Sequence, residues 1–243
     1  MGRQPALSFK GLARFGVPKD SGGYAGSLVV NGPAQGLEIL AAGQAPILGP
    51  KAAAIQASDL NALSAGAMFL GGTPGRGVYD SGQMDVYAKN TQLLVRSGAV
   101  LSAPEIFLYA ASGGRGIVVE QGATLSTLGR GAAALDARTG TYYALTSGAL
   151  LAVSNGLVNL MAPKGGAGTA IDVGGCVAAC GGASLLLSEG SIGAATSGGF
   201  TWRDTVQYGT RNLALSVSVP STWAAPRPCS RPARRATCRR GWR

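Results

Sequence analysis

Histidine is absent from this 243-residue chain. Histidine is the most frequent general acid–base catalyst and the commonest metal ligand, so its absence excludes a Ser-His-Asp or Cys-His centre built from this chain alone. The 11 acidic residues are spread thinly, and no two lie close enough in the sequence to suggest a catalytic carboxylate pair. We therefore predict a non-enzymatic protein without catalytic residues, a metal site or a cofactor.

Charge and aromatic residues are also scarce, at 13% and 6% of the chain. The hydrophobic content of 46% is nevertheless too high for a disordered protein. No apolar run reaches the roughly 18 residues that a membrane-spanning helix needs, so no transmembrane segment is predicted. The 39 glycines have no three-residue period, which excludes collagen.

A secretory signal is not visible at the start of the sequence. The first residues, MGRQPALSFK, carry charge but are not followed by an apolar stretch of the length that a signal peptide needs. We expect the same appearance for a fragment cut from inside a longer open reading frame.

The net charge of +10 belongs mostly to the C-terminal end. Residues 1–219 hold 14 basic and 11 acidic side chains, whereas residues 220–243 hold seven arginines and no acid. Because the larger part is close to neutral, no nucleic-acid partner is predicted.

The arginine-rich end has three interpretations. It is a basic arm for nucleic acid or acidic lipid, a disordered terminus without a task, or the product of a shifted reading frame. Arginine without lysine, mixed with Pro, Ala, Cys and Trp, favours the shifted frame of a GC-rich gene, since the composition changes abruptly after Val219.

Short apolar stretches that end in polar residues and glycine make up the rest of the chain. Such stretches are typical of strands rather than helices. One helical turn is predicted at 58–63, with Ser58 or Asp59 as its N-cap. Four stretches align on a glycine, with spacings of 24, 34 and 34 residues: LLVRSGAVL at Gly98, IVVEQGATL at Gly122, LAVSNGLVN at Gly156 and LLLSEGSIG at Gly190.

Strands this short are unstable alone, but stacked on equivalent strands they complete their hydrogen bonds and bury one apolar column, as in a β-solenoid. The uneven spacing predicts loop insertions at Gly129–Tyr142 and Pro163–Gly182. A β-sandwich is the rival fold, although its strands are usually longer, about five or six residues. We predict an all-β solenoid over 25–218, after an irregular segment 1–24 and before a disordered tail 219–243.

Several segments within residues 25–218 have the same kind of sequence, in which short apolar runs alternate with small residues and glycine. They are Ile55–Thr73 (IQASDLNALSAGAMFLGGT), Leu101–Leu108 (LSAPEIFL), Ile117–Leu125 and Gly190–Val217. They resemble the repeat region of filamentous haemagglutinin-like exoproteins. The resemblance covers most of the chain.

This resemblance implies a right-handed parallel β-helix within a very large protein that is secreted by two-partner secretion through a dedicated outer-membrane partner. It implies an extracellular or cell-surface location on Gram-negative bacteria. The implied role is adhesion to a receptor or glycan on a host or neighbouring cell, and some relatives act in contact-dependent inhibition or haem-related processes. The chain is short and has no recognisable secretion domain, so we expect an internal fragment of such a protein or a degraded gene.

The best candidate for covalent chemistry is the pair Cys176 and Cys180, flanked by two glycines on each side. The pair predicts a candidate disulfide in an oxidising compartment, or inert thiols. A zinc site needs about four ligands, and no histidine can complete one. The other two cysteines, Cys229 and Cys238, lie in the arginine-rich end.

Two glycine-rich stretches, 72–77 and 112–116, look like anion-binding loops but lack the Gly-Lys-Ser/Thr ending of a P-loop, so we interpret them as turns. A carbohydrate-active β-helix enzyme is the alternative function, and a non-functional gene remnant is a further one. Candidate residues for sugar chemistry are the loop acids and tyrosines Asp80, Asp85, Asp136, Tyr79, Tyr142 and Tyr143.

Overall fold

The computed structural model describes residues 6–7, 26–75, 83–136, 142–144, 147–161, 163, 168–217, 222–223 and 227–228. The described chain is mostly β, with one short helix, α1, at Ala57–Ala62. This helix confirms the predicted helical turn. The predicted N-cap is wrong, because Gln56 occupies that position without a side-chain cap. No helix in the described ranges is long and apolar enough to span a membrane.

The largest sheet contains eight strands that all pair in parallel. In spatial order they are β1 (Ala6–Leu7), β4 (Ala53–Gln56), β3 (Leu37–Leu40), β8 (Gln92–Val95), β11 (Gly116–Glu120), β15 (Ile171–Gly175), β18 (Phe200–Trp202) and β21 (Thr222–Trp223).

The second sheet has six strands and is mixed. Its spatial order is β2 (Ser27–Val30), β5 (Ala67–Leu70), β10 (Glu105–Ala110), β14 (Ala149–Ser154), β17 (Ser191–Thr196) and β20 (Asn212–Val217).

Two smaller sheets complete the structure. The five-stranded parallel sheet contains β22 (Arg227–Pro228), β19 (Val206–Gly209), β16 (Ser184–Leu187), β12 (Thr124–Ser126) and β9 (Val100–Ser102). The three-stranded sheet contains β13 (Tyr142–Ala144), β7 (Gln83–Ala88) and β6 (Gly72–Pro74).

Two of the glycine-aligned segments do pair as expected. β8 and β11 lie in parallel, with Leu93 opposite Ile117 and Val95 opposite Val119. Gly98 and Gly122 follow these strands, and both have positive φ, 78° and 86°. A Cβ on Gly122 would collide with the carbonyl oxygen of Gly181, so glycine is required there.

The prediction of a single right-handed parallel β-helix is wrong. The strands form four separate sheets, two of which contain antiparallel pairs. β14 runs antiparallel to both of its neighbours, β10 and β17, and β6 runs antiparallel to β7. β21 and β22 lie within the segment predicted to be a disordered tail; the rest of that tail, and residues 8–25, lie outside the described residues.

The reversal of β14 has a physical cause in the long connection that precedes it. β12 ends next to Thr127, whose hydroxyl donates a hydrogen bond to Asn155, one residue beyond the end of β14. β14 nevertheless begins at Ala149, opposite Ala110 at the far end of β10. β14 therefore enters the sheet at the end far from Thr127 and runs back toward it, antiparallel to β10.

The four inner strands of the six-stranded sheet are buried on both faces. On β10, Ile106 and Leu108 face the main core, which the eight- and five-stranded sheets also line. Phe107 and Tyr109 face a second apolar cluster, in which Met84 and residues from the connections on either side of β14 cover the sheet. This double burial explains why β10, β14 and β17 contain no exposed position.

Candidate functional site

An exposed face on the three-stranded sheet carries one of the predicted sugar-binding acids. In β7, Met84 and Val86 pack into the second apolar cluster, whereas Asp85 is half-buried and Tyr87 is 62% exposed. β13 lies beside β7 in parallel, with Tyr143 opposite Met84. The sheet therefore presents an acid and an aromatic ring on its outer face, next to the strand that begins with Tyr142.

The other loop acids and tyrosines are not all placed. Asp80 and Tyr79 lie outside the described residues. Asp136 accepts a hydrogen bond from the N–H of Leu157 at 3.2 Å, so its carboxylate contacts the returning connection after β14. The prediction that the acids do not form a catalytic pair stays a prediction.

Of the two glycine-rich stretches, 112–114 form bends, whereas 72–74 form strand β6, so the predicted turn is wrong there, and residues 76–77 lie outside the described residues. Gly72 begins β6, and Gly116 begins β11 with a φ of 79°. A Cβ on Gly116 would collide with the carbonyl oxygen of Ala170, because the two backbones approach closely there. The stretch 112–116 leads into a strand rather than a helix, so it lacks the helix N-terminus on which a P-loop depends.

The cysteine pair forms a disulfide in the structure. The Cα atoms of Cys176 and Cys180 lie 5.8 Å apart, and the loop between them follows β15. Cys176 is exposed and Cys180 is half-buried. Cys229 and Cys238 lie outside the described residues.

A buried ion network lies beneath this loop. Arg96 donates from Nη1 to Glu38 at 2.6 Å and from Nε to Glu120 at 3.0 Å. Both carboxylates have no exposed surface, and Arg96 is 5% exposed. Burial alone would lower the pKa of Arg96, but the hydrogen bonds and charges of the two carboxylates raise it above its ordinary value.

The two carboxylates of this network also hold loops. Glu38 accepts hydrogen bonds from the N–H groups of Ile47 and Leu48, at 2.9 and 3.2 Å. Glu120 accepts from Val177 and Ala178, at 2.9 and 3.2 Å. Each acid therefore joins a strand of the eight-stranded sheet to the backbone of a surface loop.

A third buried acid, Glu105, holds a different loop. Its Oε2 accepts hydrogen bonds from the N–H groups of Ala134 and Leu135, at 3.0 and 3.1 Å, and its Oε1 accepts from the Ser154 hydroxyl at 3.3 Å. Burial raises the pKa of Glu105 to about 7, with a smaller contribution from the negative charge of Asp136, although the backbone hydrogen bonds act in the opposite direction. The side chain has no exposed surface, so it cannot meet a substrate.

A metal site does not arise from these acids. Within the described ranges, no three Cys, Asp or Glu side chains come together as a ligand set. The buried carboxylates instead accept hydrogen bonds from N–H, O–H and guanidinium donors. These bonds hold the backbone of the neighbouring loops.

Comparison with known proteins gives no relative for this chain. No family model matches it, and no curated protein and no solved structure does so either.

Sequence reasoning missed the ion network, although the aligned segments contained a signal for it. Arg96 and Glu120 occupy the same position, two residues before the aligned glycines Gly98 and Gly122. Since β8 and β11 pair in register, opposite charges at equivalent positions become neighbours across the sheet. No comparable signal indicates Glu38, which lies 58 residues from Arg96 in the sequence.

Proposed function

We propose that the chain is a non-enzymatic segment of a filamentous haemagglutinin-like surface adhesin, in which paired strands form a scaffold that presents loops to another cell. The observation that carries this proposal is the use of the buried acids. Glu38, Glu105 and Glu120 all accept hydrogen bonds from backbone N–H groups of loops, so these side chains hold the loops in place. The resemblance to the exoprotein repeats supplies the adhesive role.

The contact surface that we propose is the outer face of β7. Among the described residues, Tyr87 is the most exposed large apolar one, and aromatic side chains often contact sugars and protein partners. Neighbouring Met84 and Val86 fix the strand by packing into the second apolar cluster. The exposed Tyr87 ring therefore lies on a strand whose opposite face is buried in the second apolar cluster.

The first experiment measures adhesion directly. Beads coated with the purified chain are applied to cultured epithelial cells and to a glycan array, and bound beads or fluorescence are counted. We expect binding that falls at least severalfold in Tyr87→Ser. Val29→Ser is the matched control, because Val29 is 39% exposed on a different sheet and its substitution is expected to leave binding unchanged.

A carbohydrate-active enzyme is the second candidate, because Asp85 and Tyr87 lie on one strand face. A panel of soluble polysaccharides is incubated with the chain, and new reducing ends are measured. Turnover that is lost in Asp85→Asn would overturn the non-enzymatic proposal. Absence of binding to every cell and glycan tested would overturn the adhesive one.

A further inference from the structure

We propose that the Cys176–Cys180 disulfide is a redox-sensitive clasp, which holds its loop on the buried Glu120 carboxylate and releases the loop when a thiol reductant opens it. This inference is independent of the proposed adhesive function. It rests on the position of two loop N–H groups between the two cysteines.

The contact between loop and carboxylate is direct. The N–H groups of Val177 and Ala178 both donate to Oε1 of Glu120, at 2.9 and 3.2 Å. Both donors lie within the five-residue segment that the disulfide closes. The disulfide restricts the backbone between the two cysteines and so keeps the N–H groups of Val177 and Ala178 oriented toward Oε1 of Glu120.

Glu120 depends on these donors. Its side chain has no exposed surface, so water cannot replace a lost hydrogen bond without rearrangement of the loop. The other oxygen, Oε2, is already bound by Arg96 Nε at 3.0 Å and by the N–H of Ser97 at 2.8 Å. Opening of the loop therefore removes both loop donors of Oε1, while Oε2 keeps its bonds to Arg96 and Ser97.

The start of the segment is fixed by β15, which ends with Gly174 and Gly175. After Cys180, Gly181 and Gly182 are exposed and lie outside any strand, and glycine gives an open chain the largest conformational freedom. Cys176 and Val177 are exposed, and Val177 has 36% of its surface in solvent. We therefore assign the closed conformation to the disulfide together with the Glu120 contact.

Exposure also determines the chemistry of opening. A thiolate attacks the sulfur of exposed Cys176, forms a mixed disulfide with it, and displaces Cys180 as a thiolate. A second external thiolate then attacks the external sulfur of the mixed disulfide, which forms the oxidised external disulfide and displaces Cys176 as a thiolate. The protein gains two electrons and, after protonation, two protons, and two external thiols are oxidised.

The test is amide hydrogen exchange on the full chain, with and without dithiothreitol. We expect exchange at Val177 and Ala178 to rise by about tenfold or more on reduction. Exchange at Gly129 and Ala134 is expected to stay unchanged, because their N–H groups bind Glu189 and Glu105 in other loops.

Two variants separate this disulfide from the other cysteines. Cys176→Ser/Cys180→Ser should show the fast exchange without reductant and no response to it. Cys229→Ser/Cys238→Ser should respond as the unmodified chain does. Equal protection of Val177 and Ala178 in both redox states would overturn the proposal. A uniform rise across all amides would also overturn it, because the disulfide would then hold the whole fold rather than one loop.

Discussion

Buried acids in two regions of this protein are stabilised by different means. On the eight-stranded sheet, Glu38 and Glu120 share one cation, Arg96, and each also binds two loop N–H groups. In the six-stranded sheet, the hydrogen bonds of Glu105 to described residues come from N–H and O–H donors. The negative charge of Asp136 also acts on it.

In both regions a buried glutamate holds a loop, but the charge of the glutamate is balanced by a cation in one region and changes with pH in the other. A buried carboxylate beside a guanidinium keeps its charge balanced. Burial without a cation raises the pKa of Glu105 to about 7, so its charge is lost near neutral pH. The two regions should therefore respond to different perturbations.

Removal of the shared cation should have the largest effect. Arg96→Met leaves two buried carboxylates without a counter-charge, and such a loss typically costs about 3–5 kcal/mol. We expect the free energy of unfolding, measured by urea titration, to fall by about that amount. A variant that unfolds at the urea concentration of the unmodified chain would show that the carboxylates do not need Arg96.

A change of pH should affect the other region, through Glu105. Because the pKa of Glu105 is about 7 in the folded chain and 4.5 ordinarily, the folded state binds more protons between these values. Its contribution to stability is therefore complete below about pH 4.5 and is lost as pH rises through 7, on the order of 3 kcal/mol.

Glu105→Gln isolates that contribution. The variant should gain stability relative to the unmodified chain as the pH rises from about 4.5 to 8, as measured by thermal melts across this range. Parallel stability curves for the two proteins would contradict the raised pKa of Glu105.

Loss of the acceptor itself should have a moderate effect. Near pH 5, where Glu105 is protonated, Gln keeps an oxygen for the N–H groups of Ala134 and Leu135, whereas Ala leaves them unpaired. We expect Glu105→Ala to unfold more easily than Glu105→Gln by about 1–3 kcal/mol. Equal urea midpoints for the two variants would mean that these N–H groups find other acceptors.

An exposed ion pair should show the smallest effect and is the control for Arg96. Arg203 donates two hydrogen bonds to Asp172, at 3.0 and 2.8 Å, but its side chain is 49% exposed. Arg203→Met should therefore cost at most about 1 kcal/mol in the same urea titration. A cost equal to that of Arg96→Met would indicate that burial does not determine the contribution of these pairs.

The pairing of neighbouring segments could be predicted from the sequence, but the direction of every strand could not. Gly98 and Gly122 mark equivalent turns, because the strands before them pair in register. The aligned segments at Gly156 and Gly190 are not equivalent: Gly156 follows a strand of the six-stranded sheet, whereas Gly190 follows one of the five-stranded sheet. A glycine pattern indicates where a turn lies, but it does not indicate whether the next strand runs parallel or antiparallel to its neighbours.

The candidate sites were predictable to the extent that they were local. Cys176 and Cys180 are four residues apart, so their proximity follows from the spacing. Glu105 and its loop are separated by about 30 residues, and the contact exists only because the connection before β14 returns over the sheet. Contacts of this kind depend on the path of an insertion, which has no periodic signal.

The central claim is that the buried carboxyl groups of three glutamates fix the surface loops, and amide hydrogen exchange in the oxidised chain at pH 6 tests it most directly. The relevant N–H groups are those bound by the three acids, at Ile47, Leu48, Ala134, Leu135, Val177 and Ala178. The account predicts that all six exchange as slowly as amides inside the sheets. Exchange at the rate of open, solvated loops would contradict it.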